Sequence, residues 1–143
     1  MSKYYTPEIE EFHVGFEYEI KRHGVWGKET WSELLHENYN VDIQHNDPTE
    51  VFLESDDWIR VKYLDREDIE SLGCKLIGKK DNGSLLFEKE YICKRAMEMN
   101  NAAIYFVALS NHILIYNDSG ETMFTGTVKN KSELKRILKM IGV

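Results

Sequence analysis

The side chains best suited to chemistry fall in two strand-like stretches. In the first, His13, Glu17 and Glu19 lie on the polar side of an alternating run from Glu11 to Lys21, whose other side is Phe12, Val14, Phe16, Tyr18 and Ile20. Residues two apart on a strand stand roughly 6.6 Å apart on one side of a sheet. Two carboxylates and an imidazole so placed could flank a divalent cation in an open site, with one carboxylate as general base of a small metal-dependent hydrolase. The same pattern also describes a solvated outer sheet face. In the second stretch, Trp58, Arg60 and Lys62 share one side of the segment Trp58 to Leu64. An indole beside two cations can stack a base and neutralise a phosphate, as nucleotide and single-strand sites do. The plainer alternative has Trp58 plugging the edge of the core while the cations snorkel to water.

Other chemistries find no support. Gly27-Lys28-Glu29-Thr30 departs from a phosphate loop, because a hydroxyl residue should follow the lysine directly and the glycine spacing differs. HExxH, GxSxG, GxGxxG and EF-hand patterns are absent. Cys74 and Cys93 form no CxxC pair, which excludes a zinc ribbon or thioredoxin-type site, and two reduced, half-buried strand thiols are expected. Three Asn-x-Ser matches, at Asn82, Asn117 and Asn130, coincide with turns or a helix cap, where both residue types belong for backbone reasons. The histidines, at positions 13, 23, 36, 45 and 112, show no ligand spacing among themselves. No cofactor is implied.

Composition bounds the partners. The chain has 143 residues, the size of a single α+β domain spanning 1–143, and its 30% charged and 42% hydrophobic content is ordinary globular usage. Residues 1–60 carry 14 acidic and 5 basic side chains, net −9, whereas residues 61–143 carry 11 acidic and 13 basic, net +2. An overall charge of −7 disfavours duplex nucleic acid, whose binding rests on neutralising phosphates, but leaves room for a local anionic ligand. The longest apolar run, Ala102 to Leu109, is too short to span a bilayer, and Met1 to Tyr5 has no apolar signal core, so a cytoplasmic protein is expected.

The elements that must position these groups follow from periodicity and punctuation. Beyond the Glu11–Lys21 strand, Gly24 and Gly27 bracket a turn or short strand. Thr30 and Glu33 fit a capping box opening a short helix to Asn38, and Asn40 to Glu50 is turn-rich. After the Trp58–Leu64 strand, Asp65 caps a short helix that ends at Leu72 with Gly73 as its stop. Asp81-Asn82-Gly83 joins Cys74–Lys80 and Ser84–Ile92 into a hairpin. Residues 93–101 read as either loop or broken helical turn. Ala103–Leu109, His112–Tyr116 and Thr122–Val128 form an antiparallel meander. Lys131 to Ile141 closes the pattern as an amphipathic helix, with Leu134, Ile137, Leu138 and Ile141 on one stripe, an Asn130/Glu133 capping box and a stop at Gly142. Its basic side (Lys131, Lys135, Arg136 and Lys139) suits self-association as well as solvent. The expected fold class is α+β: an antiparallel sheet of five to seven strands, a C-terminal amphipathic helix and one or two short helices.

Three segments carry a resemblance. Tyr5-Thr6-Pro7-Glu8-Ile9-Glu10-Glu11-Phe12-His13-Val14-Gly15-Phe16-Glu17, the stretch Arg60-Val61-Lys62-Tyr63-Leu64-Asp65 continuing through Asp68 to Gly73, and the closing Phe124-x-Gly126 with Lys131-Ser132-Glu133-Leu134 resemble small uncharacterised proteins of bacteriophages and prophages of gut bacteria. The resemblance implies a bacterial host cytoplasm and carries no activity. The function expected on this basis is a non-enzymatic binding protein that modulates a host process, as counter-defence by sequestering a small nucleotide signal through Trp58, Arg60 and Lys62 or by binding a host protein. The alternatives are the hydrolase built on His13, Glu17 and Glu19, or a virion accessory protein. Homo-oligomers are compatible with all three.

Overall fold

A computed structural model describes residues 3–31, 59–93 and 95–143. The fold is α+β, with two antiparallel sheets of four and five strands, two α-helices and one 3-10 turn among the described residues. Backbone contacts divide the chain into two compact units, residues 1–63 and 64–143.

In the first unit, β1 (Tyr4–Tyr5) leads to the 3-10 turn Ile9–Glu11. Glu8 and Glu11 close that turn reciprocally as a capping box, and the Tyr5 hydroxyl donates to Glu11 Oε1 at 2.7 Å. The alternation that begins at Glu11 becomes a strand only at β2 (Glu17–Arg22). Gly15 lies at φ 91° with its amide on the Trp31 carbonyl at 2.8 Å, and the Phe16 amide returns to His13 at 2.9 Å, so the chain turns before it extends. Val14, on the expected apolar side, is 62% exposed as a result. β2 then folds back onto β3 (Val25–Thr30) through His23-Gly24, both with positive φ, the requirement of a type I′ turn. Thr30 pairs with Glu17 at the end of β3 and the Trp31 amide donates to the Phe16 carbonyl, so neither opens a helix, and residues 32–38 of that expected helix lie outside the described residues. β4 (Ile59–Lys62) fits between β1 and β2, giving the order β1-β4-β2-β3. Phe16, Tyr18, Ile59 and Val61 form the buried core, with Phe12 edge-on to Phe16, Tyr18 and Trp31 at 5.0 to 5.4 Å.

The second unit follows the sequence pattern closely. Asp65 caps α1 (Arg66–Ser71) by accepting the Asp68 amide at 2.9 Å, and Gly73 ends it at φ 91°. β5 (Lys75–Lys79), β6 (Leu85–Cys93), β7 (Glu98–Val107), β8 (His112–Tyr116) and β9 (Thr122–Thr127) form a meander in chain order. The stretch 93–101 is therefore mostly strand: β6 and β7 pair continuously from Leu85↔Phe106 to Cys93↔Glu98, and Met97, at φ 55°, makes the tight turn. α2 (Lys131–Ile141) is capped by Asn130 and closed by Gly142, as its sequence indicates. Phe87, Ile104, Phe106, Ile113, Ile115 and Leu134 are fully buried in one core.

Candidate functional site

Strand alternation and register decide which side chains share a face. On β4, Ile59 and Val61 enter the core, so Arg60 and Lys62 project from the opposite side. Tyr4 pairs with Lys62, Glu19 with Arg60 and with Lys28, Lys21 with Trp26, and Glu17 with Thr30. Directly opposed residues point to one face, so this outer face collects Tyr4, Lys62, Arg60, Glu19, Lys28, Lys21, Trp26 and Glu17. Four cations and two aromatic rings gather there against two carboxylates, within a stretch of chain whose overall charge is strongly negative.

Arg60 is the centre of the face. Its guanidinium carbon lies over two rings, 3.8 Å from the Tyr4 centroid and 4.0 Å from that of Trp26, both within cation–π range. Nη2 donates to Glu19 Oε1 at 3.4 Å, a long contact between side chains that are 26% and 17% exposed. Nε is buried and has no hydrogen-bond partner among the described residues. Lys21 Nζ stands 6.0 Å from the Trp26 centroid. The result is a planar, permanently charged fork immobilised between two rings, with more donors than Glu19 engages.

Of the sequence-derived trio, Arg60 and Lys62 are on one face and Trp58 lies outside the described residues. The aromatic partners that the structure supplies are Tyr4 and Trp26. The indole reaches the polar side through the His23-Gly24 hairpin, whose two-residue turn sets Lys21 opposite Trp26, and Tyr4 reaches it through the pairing of β1 with β4.

His13, Glu17 and Glu19 are not assembled in the way alternation suggested. His13 lies ahead of β2, with Nδ1 2.9 Å from the Glu11 carbonyl oxygen and its ring 5.6 Å from Phe16, while Glu19 is turned to Arg60. Among the described residues no group of three His, Cys, Asp or Glu side chains is placed to hold a metal ion.

The thiols are separate. Cys74 is buried and Cys93 half-buried, both free, and burial pushes the Cys74 pKa up to about 11 against a weaker opposing pull from Lys89. A thiol so shifted is a poor nucleophile at neutral pH. Elsewhere, a shallow open concavity at the β5–β6 turn is lined by Lys80, Asp81 and Asn82.

Protein families, curated proteins and solved structures offer no match to this chain. No helix among the described residues is long and apolar enough to cross a membrane.

Proposed function

We propose that this chain is a non-enzymatic binding protein of phage type, which modulates a host process by capturing a small anionic nucleotide on the outer face of the β1-β4-β2-β3 sheet. The observation that carries the reading is the Arg60 guanidinium clamped between Tyr4 and Trp26, with Lys21, Lys28 and Lys62 on the same face. A guanidinium immobilised in this way offers a phosphate its bidentate edge at low entropic cost, because the side chain is already ordered. The surrounding lysines add attraction at short range, weakened by salt because Lys21 and Lys28 are exposed, and the exposed parts of the aromatic rings favour a flat base. In a phage-encoded chain, such capture would withdraw a nucleotide signal from host defence.

Glu19 gives the reading a sign. Its carboxylate competes with a phosphate for the same fork, across a 3.4 Å contact of the modest strength usual for half-exposed pairs. Glu19→Gln should therefore tighten nucleotide binding by about threefold to fivefold, the equivalent of 0.7 to 1 kcal/mol. Arg60→Ala combined with Lys62→Ala should abolish it. Calorimetric titration with a panel of nucleoside mono- and triphosphates and short oligonucleotides reads both changes. Binding that survives the double substitution, or that weakens in Glu19→Gln, would reject this face as the site.

A further inference from the structure

We infer that the anion held on the outer face of the β1-β4-β2-β3 sheet is part of a single strand of nucleic acid, laid along the sheet strands over at least three nucleotides, an inference that rests on the anion-binding reading of that face. Register places the groups involved. Tyr4 stands opposite Lys62, Arg60 opposite Glu19, Glu19 opposite Lys28, and Lys21 opposite Trp26. Lys62 follows Arg60 by two residues on β4, and Lys21 follows Glu19 by two on β2, so these pairs form three successive rows across the face. β4 and β2 run antiparallel, which puts the Lys62 row and the Lys21 row on opposite sides of the Arg60 row.

The rows alternate in chemistry. Each outer row sets one aromatic ring and one lysine on the face, Tyr4 with Lys62 and Trp26 with Lys21, while the middle row holds Arg60 and Lys28. Further cations stand at the rings themselves, with Lys3 Nζ 5.9 Å from the Tyr4 centroid and Lys21 Nζ 6.0 Å from that of Trp26. Ring, guanidinium, ring is the complement of base, phosphate, base, because aromatic faces stack bases and cations take the backbone. Length separates a strand from a mononucleotide. Rows stand roughly 6.6 Å apart and the outer two roughly 13 Å, beyond the reach of the phosphates of one nucleoside triphosphate. An extended strand crosses each interval with about one nucleotide.

Access and charge suit the same occupant. Lys3, Lys21 and Lys28 are exposed, and Tyr4, Trp26 and Lys62 are half-exposed, so the run is open at both ends and in the middle. Of the three carboxylates on these strands, Glu29 is turned to the other side, where it accepts the Tyr18 hydroxyl at 3.0 Å. Glu19 faces Arg60, and Glu17 lies opposite Thr30 beyond the Lys62 row's cation. Residues 1–60 carry net −9, which repels a polyanion at long range. Affinity must therefore come from short contacts in these rows and level off once they are filled.

Calorimetric titration of the full chain with thymidine monophosphate and with thymidylate oligomers of two, four and eight residues tests this, with uridylate oligomers as the RNA arm. Affinity should rise at least about tenfold from monophosphate to tetramer, then change by less than about threefold to the octamer. Either sugar supports the inference, and the tighter of the two names the source. Between about 50 and 300 mM salt, log K for the tetramer should fall with a slope near −2, about −0.7 for each of three phosphates, against about −0.7 for the monophosphate. Lys21→Ala, at an exposed position, should make the tetramer slope shallower by about 0.7, and Trp26→Leu should weaken the tetramer about tenfold, with circular dichroism unchanged. A monophosphate that binds as tightly as the tetramer with the same slope, or a tetramer indifferent to both substitutions, overturns the strand inference and leaves the mononucleotide reading in place. No binding by any member of the series, or binding that survives Arg60→Ala with Lys62→Ala, rejects the anion site itself and the strand with it.

Discussion

The clamp around Arg60 makes a quantitative prediction that needs no ligand. A cation over an aromatic ring is worth about 0.5–1 kcal/mol when exposed and about 2 kcal/mol when desolvated. The Arg60 side chain is 26% exposed and sits 3.8 Å and 4.0 Å from its two rings, so each contact should contribute about 1 kcal/mol. Substituting Arg60→Met keeps the aliphatic stem and removes the charge, and Trp26→Leu keeps an apolar side chain and removes the ring. In a double-mutant cycle these two should show a coupling energy of about 1 kcal/mol, well above the roughly 0.3–0.5 kcal/mol scatter of independent sites. Urea unfolding read by tryptophan fluorescence isolates the relevant unit, because Trp26, Trp31 and Trp58 all fall within residues 1–63, and two reporters survive in the variant. For a unit of this size the slope is about 1 kcal/mol per molar urea, so the coupling corresponds to about 1 M in midpoint. It should persist in 0.5 M salt, whereas any contribution of the Glu19 pair should fade, since screening acts on exposed ion pairs first. A coupling below about 0.3 kcal/mol would refute the clamp as an energetic unit and, with it, the argument that Arg60 is preorganised.

Three further outcomes follow from the same structure. Leu134→Ala removes a fully buried side chain at the contact of α2 with its sheet and should cost about 3–5 kcal/mol in chemical denaturation, whereas Asn130→Ala, which removes the cap on the Glu133 amide, should cost about 1 kcal/mol. Cys74 has a folded pKa of about 11, above its ordinary 9.0, so the neutral thiol is favoured in the folded state. Its contribution is complete below pH 9 and lost as pH rises toward 11, and the stability difference between wild type and Cys74→Ala should shrink by about 1–3 kcal/mol across that window. A constant difference would show that the thiol is not held in its buried environment. Because His13 engages a backbone carbonyl and Glu19 engages Arg60, millimolar magnesium, manganese or zinc should leave Tm within about 1 °C, and a rise of several degrees would revive the metal reading.

The second unit was legible in the sequence because each signal there is local. Asp65 and Gly73 bound α1, Asn130 and Gly142 bound α2, and Asp81-Asn82-Gly83 turns between β5 and β6. Even that turn differs in detail. Only Gly83 has positive φ, while Asn82 accepts the Ser84 amide at 3.0 Å, so the loop is a three-residue turn with glycine in the left-handed position instead of an Asn-Gly type I′ turn. The first unit was harder to read. Period two from Glu11 onward is genuine, yet Phe12 and Phe16 reach the core from a turn held by long-range bonds to Trp31, which no local pattern reports. The division of strands between two sheets was hidden for a related reason. β4 pairs with β1 and β2, which lie some 40 or more residues earlier, and strand pairing at that separation leaves no mark on neighbouring residues. In the candidate site, Arg60 and Lys62 were legible from alternation within one strand. Tyr4 and Trp26 were not, since they come from two other strands brought alongside by register.

The most direct test of the anion-binding face is a two-dimensional amide and guanidinium NMR titration of the full chain with the tightest nucleotide from the calorimetric panel. Saturable shifts should concentrate on Arg60 Nε–H and on the amides of Tyr4, Glu19, Trp26 and Lys28, while the α2 amides stay still. Shifts clustered elsewhere with Arg60 unmoved would contradict the account.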